Sequence, residues 1–207
     1  MEKQTVCAVI LAAGKSTRMG KTKQLLPLYE NESMLELVIN KVVDQVFDQV
    51  LVIIGHDAKE IQKRIGTRDD CQFITNDQYS LGQSTSFRKA FIHMSPSTDA
   101  AMFFLADQPY IKNSTIREVL KRGVMRQLCE PNPFVIQAYY QNEPGHPVYF
   151  GNVNEIDFSS LTGDEGGKGL FKQLNKEQLP LNDSGIIFDI DTPQDYQKAL
   201  LNLKNKS

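Results

Sequence analysis

The sequence predicts an α/β protein whose mostly parallel sheet is covered on both faces, giving three layers, with a small β-rich insertion on one side. Three observations carry this. Short apolar runs at residues 6–11, 49–54 and 100–106 suit strands buried on both faces. Segments with helical spacing lie between them, the alternation typical of parallel sheets. From about residue 131 the pattern changes to two β-type runs bounded by Pro and Gly.

The elements follow in order. Residues 6–11 are the first strand; Leu35, Leu37, Val38, Ile39, Val42, Val43 and Val46 then recur at helical spacing. Residues 49–54 form a second strand ended by Gly55, and Asp57 is placed to cap a helix running to Ile65. Residues 72–75 read as a short third strand, 84–94 as a helix and 100–106 as a fourth strand, apolar throughout. Asn113 or Ser114 is the expected cap of the next helix, which runs to about Arg126. Residues 134–140 and 146–150 read as β segments joined by a turn over "QNEPG". After the glycine-rich "LTGDEGGKGL" come a helix to about Leu174, a strand at residues 185–190 and a last helix capped by Thr192, with Pro193 in its first turn. No repeat or low-complexity linker interrupts the chain, so residues 1–207 are expected to form a single domain.

Composition narrows the function classes. With 23% charged and 41% hydrophobic residues the chain is of ordinary globular type, and a net charge of −2 argues against nucleic-acid binding through a general basic field. Cys7, Cys71 and Cys129 lie far apart, which fits neither a disulfide framework nor a metal knuckle; reduced thiols and a cytoplasmic location are expected. The apolar run at residues 6–13 is too short and wrongly flanked for a signal peptide, and no stretch reaches the ~18 apolar residues of a membrane span.

The stretch "LAAGKSTRMGKTKQLLP" invites comparison with a phosphate-binding P-loop. Five residues separate Gly14 from Gly20-Lys21-Thr22, where that loop has four, and Pro27 leaves no room for the helix that must follow. What remains is a buried strand running into a loop of small residues that carries Lys15, Arg18, Lys21 and Lys23, a phosphate site of another kind. Ligands of open parallel sheets bind beyond the carboxyl ends of the strands, and two more polar features fall there. Asp107 follows the fourth strand directly, and Asp189 and Asp191 close the last one. A basic loop facing acidic strand ends suits metal-assisted phosphoryl or nucleotidyl transfer. Each piece also has a plainer reading: Asp107 as a turn former, Asp191-Thr192-Pro193 as a cap, His146 as a turn residue and "GDEGGKG" as a loop.

Leu11 to Leu28 resembles the signature L-A-[AG]-G-x-S-x-R-M-G-x-x-K-x-L-L-P of nucleotidyltransferases acting on molybdenum cofactor and, more broadly, of sugar-nucleotide and isoprenoid cytidylyltransferases. With "SLGQSTSFRKA", "LADQPYI", "EPGHPVYF", "LTGDEGGKGL" and "DIDTPQDY", the chain is similar to the molybdenum cofactor cytidylyltransferase branch of the MobA-like NTP transferase family, which includes accessory proteins for xanthine dehydrogenase maturation.

The resemblance implies a Rossmann-like nucleotidyltransferase fold and a reaction in which CTP and molybdopterin cofactor yield the cytosine dinucleotide form and pyrophosphate. By it, Leu11, Ala12, Ala13 and Gly14, with Gly82 and Ser86, bind the nucleotide; Arg18 and Lys23 are catalytic; Asp107 and Asp191 hold Mg²⁺; and His146, Gly163 and Asp164 lie toward the pterin. Ala13 completes L-A-A-G, the form associated with CTP, where guanylyltransferases usually carry L-A-G-G. Phe87, Ala90 and Gly167-Lys168 depart from the residues common in the branch and read as variation on the acceptor side. The implied partners are CTP, the cofactor and a xanthine dehydrogenase-type molybdenum hydroxylase, with no nucleic acid and no membrane. Transfer to another phosphorylated acceptor, from CTP or GTP, and a carrier role without turnover stay open as alternatives.

Overall fold

The computed structural model describes residues 4–171 and 173–204. The strands are β1 (Val6–Ala12), β2 (Pro27–Tyr29), β3 (Glu32–Ser33), β4 (Gln49–Ile54), β5 (Gln72–Thr75), β6 (Ala100–Leu105), β7 (Phe134–Tyr140), β8 (Glu143–Gly151) and β9 (Asn175–Pro180). The helices are α1 (Met34–Val43), α2 (Ala58–Ile65), α3 (Gln83–His93), α4 (Asn113–Gln127), α5 (Lys168–Phe171) and α6 (Pro193–Lys204). Seven strands form one sheet in the order β5-β4-β1-β6-β8-β7-β9, in which β8 alone runs against the others; β2 and β3 make a separate ribbon.

The period of two along β1 explains the layers. Val6, Ala8, Ile10 and Ala12 pack on one face with Leu35, Val38, Ile39 and Val42 of α1, Ile61 of α2 and Ile116 and Val119 of α4. Cys7, Val9 and Leu11 pack on the other with Phe87 and Ala90 of α3 and Leu170 of α5. Both faces of the strand are therefore apolar, and it carries no polar alternation. Among the described residues no helix is long and apolar enough to cross a membrane.

Four expectations need correction. The β-rich part is not a side insertion: β8 pairs antiparallel with β6, and β7 and β9 extend the same sheet beyond it. Its turn is confined to Gln141 and Asn142, both at positive φ (48° and 70°), so Glu143 to Gly145 already belong to β8. Residues 185–190 form no strand. Ser184–Ile187 is a single 3-10 turn laid across the sheet end, with Gly185 so close to Tyr110 that an added Cβ would lie 2.3 Å from the Tyr110 carbonyl oxygen. Finally, the helix expected to reach Leu174 stops as the one-turn α5, and the chain instead forms β9 at the sheet edge, where a polar "NKEQLP" is tolerated.

The caps also differ. Thr192 and Asp195 do form a reciprocal cap at α6, and Ser33 and Glu36 form a capping box at α1. Asp57 stands before α2 in the left-handed region (φ 54°) and makes no cap bond; its carboxylate accepts from the Thr22 hydroxyl instead. Neither Asn113 nor Ser114 caps α4. That work falls to the buried Asp183, whose carboxylate accepts from the Lys112 N–H (2.8 Å), the Thr115 hydroxyl (2.7 Å) and the Gly185 N–H (3.0 Å). One carboxylate thus ties the start of α4 to the segment leading to Asp189 and Asp191. Asp183→Ala strands these donors and is expected to lower stability by about 3 kcal/mol in denaturant unfolding; a change under about 1 kcal/mol, the size of an ordinary cap, would contradict this role.

Candidate active site

The parallel strands β1 and β6 are neighbours and end together, so the loop after β1 and Asp107 after β6 face the same space. Ala12 and Ala13 are buried, and beyond them the backbone turns at Ser16 (φ 54°). The N–H groups of Gly14, Lys15, Ser16, Thr17 and Arg18 donate to no described residue, a row of free donors suited to an anion. No helix follows Lys21-Thr22: the Met19 and Gly20 N–H groups close a turn on the Ser16 carbonyl, and a three-residue 3-10 turn, Lys23–Leu25, comes next. The loop is not a P-loop, as its spacing predicted.

Its charges are gathered on one cation. Lys23 Nζ lies 2.5 Å from Asp107 Oδ2 and 2.6 Å from Asp191 Oδ1, and its side chain is only 12% exposed. Burial alone would depress its pKa, but the two carboxylates more than reverse that and hold it above the ordinary lysine value. Arg18 pairs with the other oxygen of Asp191 at 2.9 Å from a side chain 70% exposed. Asp107 Oδ1 is buried without a hydrogen-bond partner among the described residues. Asp189 stands beside this cluster and accepts from Gln108 Nε2 at 2.6 Å. Loss of water around its carboxylate, then the charge on Asp107, push its pKa up.

Arg18, Lys23, Asp107 and Asp191 line a cleft of about 440 Å³, together with Leu11, Ala12, Ala13, Gly14, Gly82, Ser86 and Asp164; Asp189 lies outside that lining. Gly82 sits at φ 110°, and a Cβ there would lie 2.4 Å from the Gly163 carbonyl oxygen, so both backbone and packing demand glycine. That close approach brings Asp164 to the start of α3, where its carboxylate meets the Gln83 N–H at 3.3 Å. Ser86 accepts from the buried Asn76 at 3.0 Å. His146 is not part of this cleft. It lines a smaller apolar compartment with Phe87, Phe103 and Phe150, and Gln83 borders both this compartment and the cleft.

Sequence reasoning missed Tyr79, Gln24 and Asn76. Tyr79 lines the cleft and packs on Gly55, where an added Cβ would lie 2.7 Å from the tyrosine Cβ. Gln24 and Asn76 are buried amides whose only signal was a polar residue beside an apolar run.

Residues 8–178 match the family described as MobA-like NTP transferase domain. The chain belongs to that family. It is 31% identical over 95% of its length to the purine catabolism protein PucB of Bacillus subtilis, covering 96% of that protein. It is 25% identical to the molybdenum cofactor cytidylyltransferase of Escherichia coli, covering 92% of this chain and 93% of that one. The crystal structure of the Rv0371c homolog from Mycobacterium sp. strain JC1 superposes with a TM-score of 0.82 at 26% identity, over 98% of both chains. As a MobA-like NTP transferase, the chain is a nucleotidyltransferase with the α/β fold of that family.

The two cations of this MobA-like site differ in burial, and stability should separate them. Lys23→Met leaves two half-buried carboxylates facing each other and is expected to cost about 3 kcal/mol in urea unfolding. Arg18→Ala removes an exposed pair and should cost less than about 0.5 kcal/mol. Equal effects would contradict the central place of Lys23.

Proposed function

We propose that the chain, acting as one domain over residues 1–207, transfers CMP from CTP to molybdopterin cofactor and releases pyrophosphate. The observation that carries this reading is the cluster of Arg18, Lys23, Asp107 and Asp191 at the mouth of a loop with five N–H groups that donate to no described residue. In the reaction a phosphate oxygen of the cofactor attacks the α-phosphorus of CTP in line; the new P–O bond forms as the bond to the β-phosphate oxygen breaks, and pyrophosphate leaves with that electron pair. Little covalent work falls to the protein, and its part is positioning and charge stabilisation.

Leu11, Ala12, Ala13 and Gly14, with Gly82 and Ser86, hold the nucleotide, and Ala13 favours cytosine as the base. Arg18 and Lys23 grip the triphosphate and offset the charge that develops on the departing pyrophosphate. The unpartnered Asp107 Oδ1 and the hard oxygen ligands of Asp107 and Asp191 fit Mg²⁺, which these two residues would hold and which would supply Lewis-acid neutralisation of phosphate charge. His146, Gly163 and Asp164 are assigned to the acceptor side, with His146 in the compartment bordered by Gln83 and Asp164 in the cleft. The E. coli relative's name as a molybdenum cofactor cytidylyltransferase supports this acceptor, and the purine catabolism protein supports delivery to a xanthine dehydrogenase-type molybdenum hydroxylase.

The test is pyrophosphate release from each NTP with Mg²⁺ and molybdopterin cofactor. Release is expected with CTP; release with GTP alone would overturn the base, and none with any NTP would favour a carrier. Asp107→Ala is expected to abolish release while the protein stays folded, and Lys23→Ala to lower kcat by about a hundredfold or more. Undiminished release from the Asp107 variant would remove that residue from the site.

A further inference from the structure

Gln24 follows Lys23, and its side chain bonds to the loop rather than to the charged groups. It is 2% exposed beneath the nucleotide loop, and its carboxamide is committed to that loop. Nε2 donates to the Ala12 carbonyl at 2.9 Å and to the Gly14 carbonyl at 3.1 Å, while Oε1 accepts from the Ser16 hydroxyl at 3.1 Å. Ser16 Oγ in turn accepts from the Lys23 N–H at 3.2 Å.

In a trans peptide the C=O and the N–H of the same unit point in opposite directions. Drawing the Gly14 carbonyl onto Gln24 therefore turns the Lys15 N–H away from Gln24, and that N–H meets no described acceptor. The loop needs such a restraint. Glycine leaves the adjoining peptide free to rotate, and a Cβ built at Gly14 meets nothing within 4 Å, so packing does not prevent a flip. A flipped unit would present a carbonyl oxygen to the phosphates in place of a donor.

We infer that Gln24 is a positioning residue that sets the polarity of the nucleotide loop, holding its peptides with carbonyls inward and N–H groups toward a polyphosphate. This rests on the nucleotidyl-transfer reading of the cleft. It makes Gln24 specific for the phosphates: losing it removes donors from the triphosphate and leaves the nucleoside's contacts in place.

The experiment compares CTP binding by calorimetry with cytidine binding by ligand-detected NMR on the full chain. Gln24→Met keeps size and neutrality but removes both donors. It is expected to weaken CTP by about tenfold, the worth of a charge-assisted bond, while cytidine changes by less than about threefold. Gln24→Asn, a methylene too short to span both carbonyls, is measured beside it in case the methionine variant does not fold. Equal losses for CTP and cytidine, or unchanged CTP affinity, would overturn the positioning role. A wild-type chain that binds no CTP would overturn the proposed function itself.

Discussion

The ammonium of Lys23 between Asp107 and Asp191 is the interaction on which the site depends. It joins three parts of the chain that are remote in sequence: the loop after β1, the end of β6 and the segment before α6. An exposed pair of this kind would be worth little, but here all three side chains are largely withdrawn from water, so removing Lys23 leaves two carboxylates without their shared counter-charge. The contact is possible because β1 and β6 are paired in parallel, which puts their loops at the same edge. The Ile190 N–H donates to the Asp107 carbonyl at 3.0 Å and brings Asp191 into register.

Around that point, close backbone approach shapes the cleft. Gly82 lies against Gly163, and Gly55 lies between Tyr79 and Ala13. These contacts leave no room for larger residues and set how near a ligand can come to the main chain. Three polar side chains behind the cleft tie it to the surrounding fold. Asn76 holds Ser86, Gln24 holds the nucleotide loop and Asp183 holds the approach to Asp191.

Much of this was legible in the sequence because its signals are local. The all-apolar strands announced a sheet buried on both faces, and the spacing after Gly14 excluded a P-loop before any coordinates. Arg18, Lys23, Asp107 and Asp191 stand out in the sequence through the basic loop after the first strand, the acidic ends of apolar runs and the family resemblance, and their side chains meet in the structure. What failed to show depends on distant partners. Asp183 caps a helix that starts some 70 residues earlier, as the separations to Lys112 and Thr115 show, so the local candidates Asn113 and Ser114 were misleading. β9 is an edge strand without apolar alternation, and only its pairing with β7 makes it a strand. Residues 185–190 have the apolar run of a strand but spend it packing against the sheet end. His146 lines the small apolar compartment beside the cleft, whereas Asp164 lines the cleft itself.

In the proposed reaction the bond broken lies between the α- and β-phosphates of the nucleotide, and the fate of a phosphorus label tests this. With CTP labelled at the α-phosphate and molybdopterin cofactor as acceptor, the label is expected to enter the cofactor product, while label at the γ-phosphate leaves in pyrophosphate. Transfer of the γ-label to the cofactor, or its release as inorganic phosphate, would contradict it.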